Sequence, residues 1–560
     1  MGNDVAGKAD ARSSENSDSS VCSSLRVQAG NPLPARDDGP RNVLAPARLR
    51  AVVAGAVVAR RRDAALELGV DHLLVEASVR AAEQLKTTWP KLSAATLKLP
   101  VRMIPLLVGF LAVVTIVVAP GITALAIVVA LPAAFRIWIV LWPVPHSLDG
   151  RSCSTPEEED EPTYSIIAPL RGEAKVVDQL LTAIERLNYP AEKLDVIIAA
   201  EADDDDTRAA ITARKHRIPI TVIPVPSGKP DTKPKALNVA LPFARGTYTV
   251  IYDAEDRPER NQLQVALKAF RSAGNDLACV QARLCTDTQT SWLARYFTAE
   301  YAGHFDVLLP KLAALGLPLP LGGSSNHFRT EALRRVGGWD PYNVTEDADL
   351  GMRLARFGYR SATIASTTHE EAPADCRRWL GQRTRWFKGW MQTWLVHMRE
   401  PRQLSRDLGG AGMVAFQLIV GGNALVPLLH PVFIAGLMWE VSKLELERDG
   451  WVAFAGPMHY LAAACAGYLT SAYIGWRGLS YRGASNKMGV LLYTPLHWLL
   501  LSLAAWWGAC ELIWKPFRWR KTEHGLDDES RQERTTRSLL ELERLVSGLI
   551  RRGELSQIRS

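Results

Sequence analysis

The chain has 560 residues, 47% hydrophobic and 22% charged, with a mean hydropathy of −0.03, a length that accommodates two or three domains. Its 66 Lys and Arg against 59 Asp and Glu leave +7, too small an excess to argue for a nucleic-acid binder. The seven cysteines show no CxxC spacing, which argues against a zinc site or a disulfide framework. The apolar residues, however, are clustered. No Asp, Glu, Lys or Arg occurs over Met103–Phe135, Leu408–Trp439, Trp451–Trp476 or Met488–Cys510; each stretch is long enough to span a bilayer, and at this level a purely cytosolic protein is excluded.

In chain order, residues 1–42 are polar and Ser-rich, which reads as disorder rather than a secretory signal. Residues 43–99 carry helical spacing at Leu66, Val70, Leu73, Leu74 and Ala77, a small helical region. Residues 100–145 read as a transmembrane pair, with crossings at 101–119 and 122–142 parted by Pro120-Gly121. Arg136 near the second end is placed to snorkel to the interface. After an acidic linker the pattern becomes an α/β alternation. Four apolar runs, TYSIIAPL, KLDVIIAA, IPITVIPV and GTYTVIYD, read as buried strands, with VVDQLLTAIERL and KALNVALPFA as helices between them. That alternation predicts a doubly wound sheet, with ligands beyond the C-terminal strand ends.

The soluble domain, 160–400, is expected to end in an interface helix, because Trp386, Trp390 and Trp394 form a stripe on a basic segment. A Trp-rich core helix under the sheet is the alternative. Residues 405–515 read as a C-terminal transmembrane region and 516–560 as a cytoplasmic tail, with an amphipathic helix at 538–550. Charge placement is in conflict here. The basic residues of 477–487 and of 515–521 both favour the cytoplasmic side, yet a single crossing at 488–513 would separate them. Either that stretch re-enters at Pro495, or the stretch with Pro427 and Pro431 is not a simple crossing.

Three acidic or basic groups could do chemistry. Asp253, Glu255 and Asp256 follow a buried strand directly; hard carboxylate oxygens suit Mg²⁺ or Mn²⁺ bridging a diphosphate, and a solvated acidic turn is the alternative. Lys233 and Lys235 precede a helix whose N-terminus favours phosphate, although a surface lysine pair reads equally well. Thr345 is a natural N-cap, placing Glu346 and Asp347 in the first turn of a helix. A base there needs burial or a neighbouring carboxylate such as Glu346 to offset the helix dipole. Finally, Gln382, Arg385 and Trp386 put an amide, a guanidinium and an indole within about a turn, suited to hydroxyls, phosphate and a sugar face, or to membrane anchoring.

The order DAED, TED and QRTRW, with TKPKALN (232–238), LGGSSNHFR (321–329), GGWDPYNVTEDADLGMRLARFGYR (337–360), QRTRWFKGWMQTWLVHMR (382–399) and WRKTEHG (519–525), resembles glycosyltransferase family 2. The likeness is to its membrane-embedded branch of cellulose, hyaluronan and chitin synthases, and to bacterial exopolysaccharide or adhesion glycosyltransferases. The resemblance implies an α/β GT-A-type cytoplasmic domain, a doubly wound mixed sheet, inserted between N-terminal and C-terminal transmembrane helices. It also implies an inverting, metal-dependent transfer from a nucleotide sugar, UDP-glucose or similar, to a growing exopolysaccharide or β-glucan in the inner membrane. A single transfer to a lipid acceptor is one alternative, a non-catalytic scaffold another, and export partners are possible in the first case.

By the same resemblance Asp253 and Glu255 hold Mg²⁺ or Mn²⁺, with Asp256 able to substitute. Asp347 is the base. Gln382, Arg385 and Trp386 hold acceptor and diphosphate. Glu201 and Asp203 lie where the nucleobase binds, and Lys235 near the donor phosphates. The first strand departs from the family's P-x-[YN]-N-E: Pro169-Leu170-Arg171-Gly172-Glu173 retains only the last acid, Glu173, as a donor-site residue. Lys521, Thr522 and His524 resemble a segment that closes over the donor.

Overall fold

The computed structural model describes residues 64–97, 122–143, 160–287, 291–373, 375–442 and 455–519. The expected disorder of 1–42, the crossing at 101–119, the helix at 538–550, and Lys521, Thr522 and His524 lie outside the described residues.

The centre is one eight-stranded mixed sheet: β1 Tyr164–Leu170, β2 Leu194–Glu201, β3 Ile220–Val225, β4 Tyr248–Ile251, β5 Arg257–Pro258, β6 Leu277–Thr286, β7 Asn326–Arg329 and β8 Arg360–Glu370. The strand order is β3-β2-β1-β4-β7-β6-β8-β5. β1 pairs in parallel with β2 and β4, and β7 runs antiparallel to both β4 and β6. Alternation splits β1 and β2 between two cores. Ile167, Ile197 and Ala199 enter one layer and Ile166, Val196 and Ile198 the other, because successive side chains point to opposite faces.

The four apolar runs correspond to β1–β4. The sequence reading missed β5 to β8, and for β7 and β8 the reason is physical: these strands bury polar side chains in a bonded layer. The Tyr164 hydroxyl meets His327 Nδ1 at 2.7 Å, Gln262 Nε2 donates to Thr368 Oγ1 at 3.0 Å, and Ser325 donates to Thr368 at 2.7 Å. Buried polar groups that satisfy one another leave no apolar run to read.

The helices in chain order are α1 Ala64–Thr88, α2 Ile122–Leu141, α3 Val177–Glu185, α4 Asp205–Ala213, α5 Lys233–Ala240, α6 Gln262–Ser272, α7 Trp292–Ala302, α8 Leu309–Ala314, α9 Thr330–Arg335, α10 Glu346–Arg356, α11 Cys376–His397, α12 Pro401–Phe416, α13 Gly422–Ser442, α14 Ala455–Tyr481 and α15 Thr494–Trp514. The segment after α1 is tied to the sheet domain at two places. Asp340 accepts from Ser93 Oγ at 3.1 Å and Ala94 N at 2.5 Å, and Arg399 donates to the Lys91 and Ser93 carbonyls.

α11 carries the Trp stripe, and its surroundings correct the expectation of a lipid-surface helix. One face binds the sheet domain: His397 Nε2 lies 3.2 Å from Asp349 Oδ1, and Asn343 Nδ2 donates to Thr393 Oγ1 at 3.0 Å. The opposite face packs Trp386, Trp390 and Trp394, none of them exposed, against α12, α13 and α15. α11 is therefore a core helix between two layers.

Among the described residues, two stretches are long and apolar enough to cross a membrane, Pro401–Trp439 and Asn486–Trp514, and Val129–Leu141 is a shorter apolar helix. The second stretch contains α15, whose two ends both hold the sheet domain. The Tyr296 hydroxyl donates to Thr494 Oγ1 at 3.0 Å at one end, and Lys388 Nζ reaches Glu511 Oε2 at 3.3 Å at the other. A 21-residue helix is about 31 Å long, so a crossing would carry one of those ends to the far side of a bilayer. Instead α15 lies along α11. Its outer face, Leu496, Leu499, Leu503, Trp507 and Trp514, is apolar and exposed. This removes the charge conflict. Arg482 pairs with Asp306 at 2.6 Å and the Arg518 carbonyl accepts from Lys388 at 2.6 Å, so both basic flanks sit on one side. Re-entry at Pro495 is unnecessary, because Pro495 occupies the first turn of α15, where its missing N–H breaks no helical bond.

Candidate active site

One cavity of about 430 Å³ runs from the C-terminal ends of β1, β2 and β4, past the N-terminus of α10, to the space between α2, α13, α14 and α15. On the donor side Glu173, Glu201, Asp253 and Glu255 line it. Gly172 takes a left-handed φ of 59°, a backbone conformation open to glycine without a Cβ clash, and its N–H donates to the Asp204 carboxylate. This turns Arg171 and Glu173 into the cavity, where Arg171 pairs with Asp231. Burial pushes the Glu201 carboxyl up to about 7, against the pull of Lys235.

Three of the expected site residues lie elsewhere. Asp203 is exposed in the turn after β2, outside the lining. Lys235 is buried, with its ammonium on the Pro226 and Gly228 carbonyls at 3.0 and 3.1 Å. Lys233, two residues earlier, occupies the cavity and donates to Asp253 Oδ2 and the Gly323 carbonyl, both at 2.7 Å. Two positions on a helix are about 200° apart, so the two lysines sit on opposite faces, and spacing alone does not say which face is inward. Asp256 also turns away: its Oδ2 accepts from Asp253 N at 2.8 Å, bracing the turn.

Among the described residues no three His, Cys, Asp or Glu side chains converge to hold a metal, so the expected three-carboxylate site is not formed. Asp253 and Glu255 both line the cavity, and burial with the neighbouring Asp253 pushes Glu255 up to about 8. Mg²⁺ is commonly bound by one or two carboxylates plus substrate phosphates, and this pair fits that mode.

Opposite the donor side, Glu346 and Asp347 open α10. Thr345 stands at the N-cap position, but its side chain makes no capping bond; it is occupied by Asn343 Oδ1, which also accepts from Thr345 N at 3.0 Å. Gly389 of α11 presses on it so closely that a Cβ there would stand 2.3 Å from Thr345 Oγ1. Burial lifts Asp347 above the usual carboxylate range, with the Ala348 N–H pulling it back. Burial, then the charge of Asp347, push Glu346 up to about 7. Burial thus offsets the helix dipole. Asp347 Oδ2 stands 3.4 Å and Lys233 Nζ 4.0 Å from where a Cβ on Gly323 would be, so the glycine keeps the floor between base and donor side open.

Gln382, Arg385 and Trp386 line the same cavity. Arg385 donates to the Val344 carbonyl at 3.1 Å and lies over the Trp519 ring at 5.7 Å. Gln382 Oε1 is buried without a partner. Trp386 is backed by the Arg383 guanidinium at 4.5 Å, and Arg383 pairs with Glu300 at 2.5 Å. Arg383, Glu300 and Gly323 are among the lining residues that the sequence reading left without a role, and Lys233 was read only as half of a lysine pair at a helix N-terminus. LGGSSNHFR and the doubled lysine of TKPKALN were the signals available for two of them.

With strand-end carboxylates, the raised carboxyl pair of α10 and the polar and aromatic side chains of α11 around one space, the site can be set beside known proteins. Residues 165–328 match the model for glycosyl transferase family 2, and 248–514 match that for glycosyl transferase family group 2. Together the two matches extend over residues 165–514, and this part of the chain is similar to glycosyltransferase family 2. It is similar to the probable glycosyltransferase YdaM of Bacillus subtilis, 25% identical over 41% of this chain and 55% of that one. It also resembles a beta-monoglucosyldiacylglycerol synthase of Synechocystis, 23% identical over 66% of this chain and 77% of that one. A third relative is a cellulose synthase catalytic subunit of Pseudomonas fluorescens, 27% identical over 48% and 36%. The chain thus spans just over half of YdaM and about a third of the cellulose synthase subunit. A mannosyltransferase of Pyrobaculum calidifontis, solved with GDP-Man and Mn²⁺, superposes with a TM-score of 0.46 at 22% identity, over 70% of this chain and 99% of that one.

Proposed function

We propose that this family 2 glycosyltransferase transfers a sugar from a nucleotide sugar to an acceptor hydroxyl presented from the membrane side, with inversion. The carrying observation is the single cavity that joins Glu201 and Asp253 to Asp347 and then to Gln382 and Trp386. In this reading the nucleotide lies along Glu173 and Glu201, and the diphosphate lies at Lys233 and Asp253. Asp253 and Glu255 are the residues that would hold Mg²⁺ or Mn²⁺, which when bound neutralises charge on the leaving diphosphate. Asp347 takes the proton from the acceptor hydroxyl. The hydroxyl oxygen then attacks the anomeric carbon as its bond to the diphosphate oxygen breaks on the opposite face. Arg385 and Trp386 orient the acceptor, and the packed helices keep bulk water out.

In this reading the enzyme sits in the plasma (inner) membrane with the sheet domain on the cytoplasmic side; the exposed apolar side chains of α2, α13, α14 and α15 support membrane association. Product type divides two readings. A growing exopolysaccharide or β-glucan needs a passage onward. Beyond Trp498 the space narrows to about 40 Å³, room for on the order of three waters, which favours a single transfer to a lipid acceptor. The test is to incubate membranes holding the full chain with labelled UDP- and GDP-sugars and to size the products. A labelled lipid soluble in organic solvent is expected, and a polymer retained on gel filtration restores the glycan reading. Turnover should collapse in EDTA and in Asp253→Ala; turnover that survives thorough chelation removes the metal.

A further inference from the structure

The membrane-side arm of the cavity holds a cation that no carboxylate among the described residues neutralises. Arg136, in α2, lines both the main cavity and the narrow space beyond it. It lies inward of the helix end: Trp142, whose carbonyl accepts from Lys311 of the sheet domain at 2.8 Å, is six residues on, about 9 Å along the axis. Rather than snorkelling outward, the guanidinium crosses to α13, where Nη2 donates to Asn423 Oδ1 at 2.5 Å. Its Nε is buried and has no partner. Among the described residues no carboxylate pairs with it or acts on its charge.

The neighbours that share both spaces are neutral: Asn423 and Pro427 of α13, Thr470 and Ser471 of α14, and Trp498 of α15. The nearby cation Arg383 is already paired with Glu300. An arginine does not discharge by losing its proton, and an isolated charge out of water is costly unless an anion meets it. Charged side chains among membrane helices accordingly mark ligand paths.

We infer that Arg136 and Asn423 form the receptor for an anionic headgroup, the phosphate of a membrane lipid whose free hydroxyl is presented to Asp347. This rests on the glycosyltransferase reading and narrows its acceptor. A neutral glycan would leave the guanidinium uncompensated. A phosphodiester accepts from two or more of its five donors, and the helices that bear the arm carry exposed apolar side chains for the acyl chains, Leu131 of α2, Leu425 of α13 and Leu469 of α14 among them. A lipid source is favoured over a free anion because the arm lies between helices whose outer faces are apolar.

The test uses the full chain in phosphatidylcholine nanodiscs and measures binding of fluorescent phosphatidylglycerol and fluorescent diacylglycerol, with UDP and GDP binding measured separately by calorimetry. The wild type is expected to prefer phosphatidylglycerol at least tenfold. Arg136→Gln should remove that preference and Arg136→Lys should keep part of it. Asn423→Asp is the variant that does not depend on tolerating a lost arginine. It puts a carboxylate on the guanidinium, so the protein should be as heat-stable as the wild type or more so, yet have lost the preference. A preference that persists in Asn423→Asp, or in folded Arg136→Gln, overturns the inference. So does displacement of the lipid by millimolar inorganic phosphate as readily as by unlabelled phosphatidylglycerol, which would make the ligand a free anion. Failure of the wild type to bind either nucleotide would instead overturn the glycosyltransferase reading and would leave the lipid result standing.

Discussion

The two ends of the cavity treat charge in opposite ways. At the donor end the cations are already paired: Lys233 holds Asp253 at 2.7 Å and Arg171 holds Asp231, so the site is compensated before a nucleotide arrives. At the membrane end, among the described residues, Arg136 meets only the neutral Asn423. The difference reflects solvent. Lys233 is mostly buried and keeps its partner, while Arg171 and Asp231 are exposed and tolerate exchange of partners, because a charge released from one contact is resolvated. Between apolar helices no such exchange exists, and an unpaired charge there implies a ligand. Between these ends sits the carboxyl pair of α10, where the two substrates would meet.

The comparison breaks most completely at that midpoint. Asp347→Asn keeps the shape and removes the base, so kcat should fall about 10²–10⁴-fold, while nucleotide affinity measured by calorimetry stays within a few-fold. Full activity would put the base elsewhere. The next effect should come from Gly389→Ala. The added Cβ collides with Thr345, and overpacking of this kind costs about 1–3 kcal/mol. A lowered melting temperature together with a larger loss of kcat than of nucleotide binding would show that α11 sets the position of the base.

Trp386→Ala tests the membrane-facing half alone. An indole contact of about 1 kcal/mol corresponds to roughly fivefold in affinity, so KM for the acceptor should rise by about that factor with donor KM unchanged. Equal loss of protein level and activity would reduce Trp386 to packing. The smallest effect lies in the pH dependence. Burial holds Asp347 above the usual carboxylate range, and the base works only when ionised, so kcat/KM should fall as pH drops through the pair's titration. Glu346, pushed up to about 7, adds a negative charge beside the base once it ionises. Because Glu346 is still protonated where Asp347 ionises, Glu346→Gln should leave the acid limb of the pH–rate profile in place. A shift to lower pH would reverse the order in which the two acids ionise.

Much of the architecture was legible in the chain. β1–β4 are apolar runs because parallel strands buried on both faces leave no room for polar alternation, and their C-terminal ends led directly to Glu201, Asp253 and Glu255. The order of DAED, TED and QRTRW led to the family and to the residues that now line one cavity. Local pattern failed where a residue's direction depends on what packs against it. Lys233 and Lys235 are chemically identical and two positions apart, and only the packing of α5 on the sheet turned the first into the cavity. Asp256 is the same residue type as Asp253 and became a brace for the turn. The strands β7 and β8 were invisible because their polar groups satisfy one another across the sheet. The same limit applies to the membrane layer. Composition established that α2, α13, α14 and α15 carry apolar faces, since clustering of hydrophobic residues is a property of the chain itself. Whether a helix crosses or lies flat depends on where its two ends are held, and the bonds from Tyr296 to Thr494 and from Lys388 to Glu511 join residues 198 and 123 positions apart. No window of sequence contains both partners of such a contact, and for that reason only the tertiary structure decided it.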